Sequence, residues 1–302
     1  MRQTLFGSLL ALCLLNAAEA RLNVVTTTPD LGAIASAVGG DLVTVRSLAR
    51  GYQDPHYLEA KPSYMRALNR ADLLIYTGLE LEVGWLPLLI QGARNPRIAL
   101  GTAGHLDASV GVELLEVPTG QVDRSMGDVH PEGNPHYMLD PRAGLVVARN
   151  IAERLQALEP GQADVYAENL DRFCRELSGD IRRWEDRTAH LKGQKLVTYH
   201  KQWEYLMHWL GIEIIDQVED KPGIPPSPRH VASLGDRMRT EGVRSIVCSN
   251  FISTKPAERL AARTGATLLI LPMSVGGEPE IRTYPELFDY LVERVVGSAA
   301  PE

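Results

Sequence analysis

The chain has 302 residues, of which 44% are hydrophobic and 23% charged, so it is long enough for two hydrophobic cores and has the composition of a globular protein. Its formal net charge is -7, which argues against the basic surface that a nucleic-acid-binding protein presents. After residue 20, no stretch approaches the length of about 20 apolar residues that a membrane-spanning helix requires.

The first 20 residues differ in composition from the rest. Arg2 gives a positive start, residues 5–18 are largely apolar, and AEA at residues 18–20 has the small-x-small form of a cleavage site. These features predict a secretory signal peptide over residues 1–20 and a mature protein in the periplasm. Cys13 is preceded by leucine, where a lipoprotein signal would have a small residue, so lipid anchoring is disfavoured.

Two cysteines remain after the predicted cleavage, Cys174 and Cys248. An oxidising compartment permits a disulfide between them. Burial of two separate thiols is equally compatible with the sequence, because free cysteine behaves as a small apolar residue.

Strand and helix patterns alternate along both halves of the mature chain. Strands are predicted over 22–27, 43–48, 72–76, 97–100, 195–199, 213–218, 245–248 and 267–271. Helices are predicted over 30–38, with Asp30 as the cap, and over 62–69, 85–91, 141–158, 203–210, 228–241, 255–263 and 285–296. This alternation predicts an α/β fold in which each half is a parallel sheet covered by helices on both faces.

The longest helical pattern runs from residue 162 to 191 and would be about 45 Å long. Its apolar side chains recur every three or four residues, at Tyr166, Leu170, Phe173, Leu177, Ile181 and Trp184. We predict an N-terminal lobe over 21–158, a rigid connecting helix over 159–192 and a C-terminal lobe over 193–302. Such a helix limits hinge bending, so ligand release is expected to involve loop rearrangement rather than a large lobe rotation.

Three histidines lie in loops where two such lobes would face each other. His56 follows the second predicted strand, His136 lies in a loop rich in proline and glycine, and His200 ends the first strand of the second half. Ligands of open parallel sheets gather at the carboxyl ends of strands, so one cleft is expected to contain all three. Three neutral imidazoles suit Zn²⁺ better than Ca²⁺ or Mg²⁺. Structural or surface roles are expected for His105, His190, His208 and His230.

The segments around these histidines resemble the zinc- and manganese-binding proteins of ATP-driven (ABC) metal importers. They read DPHYLEAKPS around His56, GDVHPEGNPHYMLDP around His136 and VTYHKQWEYL around His200. The resemblance covers essentially the whole mature chain. It implies two α/β lobes joined by a rigid helix, Zn²⁺ held between them by these three histidines as the transported ligand, and a membrane permease as partner. A histidine at the third position resembles the zinc-binding members, whereas manganese-binding members have glutamate there.

The fourth ligand position departs from the family pattern. Many members have aspartate after the strand that here ends at Leu271, but this chain continues with PMSVGGEPE and has Met273 near that place. Thioether sulfur is a poor zinc ligand beside imidazole. Water or one of the two loop glutamates, Glu278 and Glu280, is expected to complete the tetrahedron, ahead of His130.

Other functions remain compatible with these residues. Three histidines and an open fourth position also describe a hydrolytic zinc site, although no HExxH or comparable spacing occurs. A binder of an organic ligand or metal chelate would need a roomier cleft, for which the sequence offers Tyr57, Tyr137, Trp203 and Tyr284.

The sequence favours a monomeric, non-enzymatic protein that captures zinc in the periplasm and delivers it to an ABC permease. The same role for manganese or another divalent metal is the alternative. A periplasmic metallochaperone that hands over the ion is compatible with either version.

Overall fold

The computed structural model describes residues 21–120, 122–123 and 126–299. The predicted signal peptide, residues 1–20, lies outside this part of the chain. Among the described residues, we find no helix that combines the length and the apolar character needed to cross a membrane.

The described residues contain eight strands arranged in two parallel four-stranded sheets. The strands are β1 (Leu22–Thr26), β2 (Val43–Ser47), β3 (Leu73–Tyr76), β4 (His105–Asp107), β5 (Lys195–Thr198), β6 (Glu213–Gln217), β7 (Ser245–Ser249) and β8 (Thr267–Leu271). The first sheet has the order β2-β1-β3-β4 and the second has the order β6-β5-β7-β8, so both halves repeat one topology. In each sheet the first strand lies between the second and the third, so the chain connects to one neighbour and then crosses to the other side. Such a reversal of strand order creates a crevice at the carboxyl ends of the central strands.

Helices cover both sheets. They are α1 (Pro29–Gly39), α2 (Pro62–Arg70), α3 (Leu86–Ala93), α4 (Pro141–Leu158), α5 (Ala163–Thr188), α6 (Glu204–Leu210), α7 (Pro228–Glu241), α8 (Lys255–Thr264) and α9 (Tyr284–Ala299). Seven of these have proline in the first or second position, where the missing N–H has no intrahelical partner to lose. The predicted α/β class with two parallel sheets is confirmed.

One hydrophobic core runs through both halves of the molecule. It includes Leu31 of α1, Leu177 of α5 and Phe288 of α9 together with apolar residues of both sheets. Separate, smaller cores lie between the first sheet and α2 and α3, and between the second sheet and α7 and α8. The inner faces of the two sheets are therefore linked by continuous apolar packing.

Helix α5 has 26 residues and contacts both halves of the chain, through α1 and α4 on one side and α9 on the other. Near its N-terminal end, the Asn169 amide donates to the Val38 carbonyl at 3.0 Å. Near its C-terminal end, the Trp184 indole donates to the Asp289 carboxylate at 2.8 Å. Its buried side chains include the predicted Tyr166, Phe173, Leu177, Ile181 and Trp184.

The predicted strand over residues 97–100 is wrong. Pro96–Ile98 is a short 3-10 helix, and the fourth strand is instead His105–Asp107. The Asn95 side chain accepts the backbone N–H of Arg97 and so stabilises the turn. A local capping bond of this kind offers the backbone an alternative to a sheet.

The predicted cap of the first helix is also wrong. Thr28 precedes the helix and Pro29 is its first residue, so Asp30 already lies in the first turn. The Asp30 carboxylate instead accepts hydrogen bonds from the Ser274 hydroxyl at 2.7 Å and from the Val275 backbone N–H at 2.9 Å. It therefore joins the first half of the chain to the loop after β8.

Cys174 and Cys248 are both free thiols, so the disulfide alternative is wrong. Cys174 is partly exposed on α5, whereas Cys248 is buried in β7. Burial raises the pKa of the Cys248 thiol to about 12, with smaller contributions from nearby carboxylates. Cys248 is thus an apolar core residue.

Candidate metal centre

Three predicted ligand residues converge at the carboxyl ends of the two sheets. His56 lies in the loop after β2, His136 immediately precedes the 3-10 helix that leads into α4, and His200 follows β5. The ring centroids of His56 and His136 are 5.1 Å apart, and those of His136 and His200 are 6.3 Å apart. The His56 and His200 centroids are 6.4 Å apart. The structure thus brings together histidines that are up to 144 residues apart in sequence.

Two of these imidazoles are held from behind by carboxylates. The Nδ1 atom of His56 is 2.8 Å from Asp54, and the Nδ1 atom of His200 is 2.8 Å from Glu219. A carboxylate at Nδ1 retains the ring proton there and leaves Nε2 with a free lone pair. This arrangement orients histidines as metal ligands.

Sequence reasoning did not assign these carboxylates. Asp54 could have been predicted as a partner of His56, because it lies two residues before it in the sequence. In the structure its Oδ1 also accepts the His56 backbone N–H at 2.9 Å. Glu219 is 19 residues from His200 and had only an indirect signal, since β6 neighbours β5 in the sheet. Burial alone would raise the pKa of Asp54, but hydrogen bonding to His56 and attraction to its ring outweigh burial and lower that pKa.

Burial favours the neutral, metal-binding form of the inner imidazoles. His136 is 8% exposed, and burial followed by the neighbouring histidines lowers its pKa well below the ordinary value. Burial and the charge that His56 can carry lower the pKa of His130 to about 4. Metal ligands must be deprotonated, so these rings need no proton release at neutral pH.

A fourth imidazole, His130, lies beside His56 and lines the same cavity as His136 and His200. Its Nε2 atom is 3.3 Å from the Nε2 atom of His56, and the two ring centroids are 5.3 Å apart. The charge of Asp128 and the backbone of Leu79 near the ring act on the His130 pKa in the opposite direction to burial. Its loop is fixed where the Asp128 N–H donates to the Pro222 carbonyl at 2.9 Å.

The two glutamates that were predicted as possible ligands have different surroundings from each other. Glu278 accepts a hydrogen bond from the Asn250 amide at 3.3 Å, and Glu280 is exposed. Among the described residues, no hydrogen bond or ion pair joins either glutamate to the histidine cluster. Their role as ligands stays a prediction.

The other histidines lie outside the cluster and have structural or surface positions, as predicted. The Nδ1 atom of His105 is 2.9 Å from the Ile98 carbonyl, and the Nε2 atom of His230 is 2.8 Å from the Gln217 carbonyl. His190 and His208 are exposed.

The four rings form an open cluster. In the part of the chain that the structure describes, no three His, Cys, Asp or Glu side chains are already closed around a common ion position. The distances between ring centroids also show an open arrangement. The His200 ring is more than 1 Å farther from the His56 ring than the His136 ring is. Binding of an ion therefore requires a small inward movement of His200.

The cavity at the cluster has a volume of about 60 Å³ and is bordered by His130, His136 and His200. That volume suits an ion with a few water molecules, whereas organic ligands occupy cavities of roughly 300 to 1,000 Å³. The aromatic residues proposed for a roomier cleft do not line it: Tyr137, Trp203 and Tyr284 are buried and Tyr57 is exposed. A larger groove of about 540 Å³ lies elsewhere on the first half, beside α3.

Comparison with protein families matches residues 24–297 to the family described as ZnuA, zinc-uptake complex component A, periplasmic. The chain belongs to this family. Its members are metal-binding, substrate-binding proteins of ABC importers rather than enzymes, so the hydrolase alternative is wrong. The protein accordingly binds a divalent metal outside the cytoplasm as the transported ligand, and its partner is an ABC permease.

Similar proteins agree with this assignment. The metal ABC transporter substrate-binding lipoprotein ScbA of Streptococcus cristatus is 24% identical over 286 residues, covering 92% of this chain and 88% of the relative. The manganese ABC transporter substrate-binding lipoprotein PsaA of Streptococcus pneumoniae is 26% identical over 246 residues, covering 80% of this chain and 76% of the relative. A crystal structure of ZnuA has a TM-score of 0.77 at 24% identity, covering 93% of this chain and 100% of that chain, which shows the shared fold.

Proposed function

We propose that this family member captures Zn²⁺ with His56, His136 and His200 and delivers it to the importer permease. The observation that carries the proposal is the pair of carboxylate contacts to His56 and His200, each 2.8 Å long at Nδ1. These contacts leave the Nε2 lone pairs of His56 and His200 free to bind a metal, in a cleft that also contains the buried, neutral His136.

The donor set favours zinc over manganese. Imidazole nitrogen suits zinc, whereas manganese prefers carboxylate, carbonyl and water oxygens. The two carboxylates that contact the rings of His56 and His200, Asp54 and Glu219, are bonded to Nδ1 atoms. Manganese remains the rival cargo because a similar protein, PsaA, is named as a manganese transporter component.

We further propose that residues 1–20 are a cleaved signal peptide and that the mature protein works as a monomer in the periplasm. The relatives ScbA and PsaA are named lipoproteins, which makes lipid attachment at Cys13 the competing outcome. The intact mass of the exported protein separates these possibilities, because a diacylated cysteine at the N-terminus adds a large, defined mass.

The cargo can be tested by measuring metal content and then titrating Zn²⁺ against a competing chelator, with and without excess Mn²⁺. We expect one tight zinc per chain, retained in excess manganese. Loss of a residue that only hydrogen bonds to a metal ligand lowers metal affinity about 10- to 100-fold. Loss of a ligand should cost more, so His136→Ala should weaken zinc binding by roughly 100-fold or more.

His105→Ala is the matched control, because His105 lies in the same half of the chain and bonds to a backbone carbonyl away from the cluster. Its zinc affinity should equal that of the wild type. Absence of tight zinc binding, or displacement of zinc by manganese, would contradict the proposed cargo.

A further inference from the structure

The relation between His130 and His56 goes beyond the three-histidine set. Two nitrogens bound at 2.0 to 2.1 Å to one tetrahedral zinc ion are separated by about 3.3 Å. The Nε2 atoms of His130 and His56 are 3.3 Å apart. We propose that His130 is the fourth ligand, so that the metal is held by four imidazoles. This inference rests on the proposed function, because it completes the same site.

Hydrogen bonding of the two rings supports a cation between them. A neutral imidazole carries a single N–H. His56 directs its Nδ1 toward Asp54 at 2.8 Å, so the carboxylate holds the N–H there and the Nε2 lone pair of His56 faces the Nε2 atom of His130. In the metal-free pair, His130 can donate an Nε2–H to this lone pair. With the His130 proton on Nδ1 instead, both Nε2 lone pairs can bind one metal ion.

The backbone beside His130 includes an unusual segment. Gly78, Leu79 and Glu80 have successive φ values of 82°, 53° and 61°. The buried Glu82 carboxylate accepts the backbone N–H groups of Thr77 at 2.7 Å and Gly78 at 3.2 Å. Left-handed non-glycine residues are strained, and such strain concentrates at functional sites. This segment fixes the backbone of Leu79 near the His130 ring.

In the part of the chain that the structure describes, the glutamates of the loop after β8 make no hydrogen bond or ion pair with the histidines. Glu278 is bonded to Asn250, and Glu280 is exposed. The loop is also packed tightly against the first half, since a Cβ atom added to Gly51 would lie only 2.2 Å from the Val275 carbonyl oxygen. The contact with Gly51 positions this loop against the first half of the chain.

Four imidazoles would determine which ions the site accepts. The neutral set contains no oxygen donor, so it favours zinc and other late transition metals and disfavours manganese.

X-ray absorption of the zinc-loaded protein counts imidazole ligands directly, and chelator competition gives the affinity. We expect four imidazoles in the wild type and three in His130→Ala, with zinc affinity reduced by roughly tenfold or more. Glu278→Gln and Glu280→Gln should keep four imidazoles and wild-type affinity. Circular dichroism of the metal-free His130→Ala protein checks that its fold is intact.

The outcomes separate the two proposals. Tight zinc binding with three imidazoles in both the wild type and His130→Ala would remove His130 and leave the proposed function standing. A loss of affinity in Glu278→Gln or Glu280→Gln, with no change of imidazole count in His130→Ala, would likewise overturn the ligand assignment. No tight zinc binding by the wild type would overturn the proposed function itself.

Discussion

A single carboxylate oxygen, Oε2 of Glu219, connects the orientation of His200 with a neighbouring loop. It lies 2.8 Å from the Nδ1 atom of His200 and accepts the backbone N–H of Gly223 at 2.8 Å. The preceding residue, Pro222, accepts the N–H of Asp128 in the loop that carries His130. Glu219 therefore links a proposed ligand on one half of the chain with a loop that reaches the other half.

The Glu219→Gln variant tests this positioning role. Glutamine keeps the size of the side chain but loses the charge that stabilises the Nδ1 proton, so we expect zinc affinity to fall about 10- to 100-fold with one zinc still bound per chain. Glu213→Gln, at an exposed position of β6, is the control and should bind zinc like the wild type. Wild-type affinity in Glu219→Gln would show that His200 needs no carboxylate partner.

At the scale of elements, Asp30 joins helix α1 to the loop after β8. Asp30 is 5% exposed, and its carboxylate accepts hydrogen bonds from the Ser274 hydroxyl and the Val275 backbone N–H. Burial raises the pKa of Asp30 to about 6, because it outweighs these hydrogen bonds, which act in the opposite direction. The charged carboxylate is therefore a source of instability at neutral pH.

This pKa predicts a specific pH dependence for Asp30→Asn. The folded protein binds the Asp30 proton more tightly than the unfolded chain does, so this group's contribution to stability falls as pH rises from about 4 to about 6. We expect Asp30→Asn to exceed the wild type by about 1 to 3 kcal/mol in unfolding free energy at pH 7.5, and the difference to vanish near pH 4.

Denaturant unfolding of the two metal-free proteins across this pH range measures the difference. The exposed Asp41, just beyond α1, provides the control substitution Asp41→Asn, which should follow the wild-type curve. A stability difference for Asp30→Asn that is constant with pH would refute ionisation of Asp30 as its source.

At the scale of the molecule, the two halves are tightly coupled. The main core is continuous across them, α5 contacts both, and Gly51 lies against the backbone of residues 275–277 with no room for a side chain. We propose that residues 21–158 and 193–302 form two lobes joined rigidly by residues 159–192. Interdigitated cores resist continuous deformation, so relative lobe rotation would be costly.

We therefore expect metal-free and zinc-loaded crystal structures to superpose as whole molecules. Differences should be confined to the loops that carry His130 and His200 and to residues 219–224, because only small ligand movements are needed to close the cluster. Small-angle scattering of both forms should give the same radius of gyration. A rigid-body rotation of one half by tens of degrees would contradict this prediction.

The sequence by itself predicted what depends on local pattern. Alternating strand and helix periods gave the two parallel sheets, and proline positions marked where most helices begin. His56, His136 and His200 were recognisable because each occupies a loop next to a predicted strand or helix end, and the two-lobe prediction brought those loops together. The failed strand at 97–100 shows the limit of this reasoning, since the Asn95 cap favoured a turn in a short apolar run.

Only the tertiary structure decided relations that cross the chain. Asp30 looked like a helix cap but bonds to residues more than 240 positions away. The roles proposed for Glu219 and His130 depend on spatial neighbours that no periodicity encodes. The contact between Glu278 and Asn250 likewise joins residues 28 positions apart. Periodicity determines which face of an element is buried, whereas the partner of a polar side chain is determined by packing between distant elements.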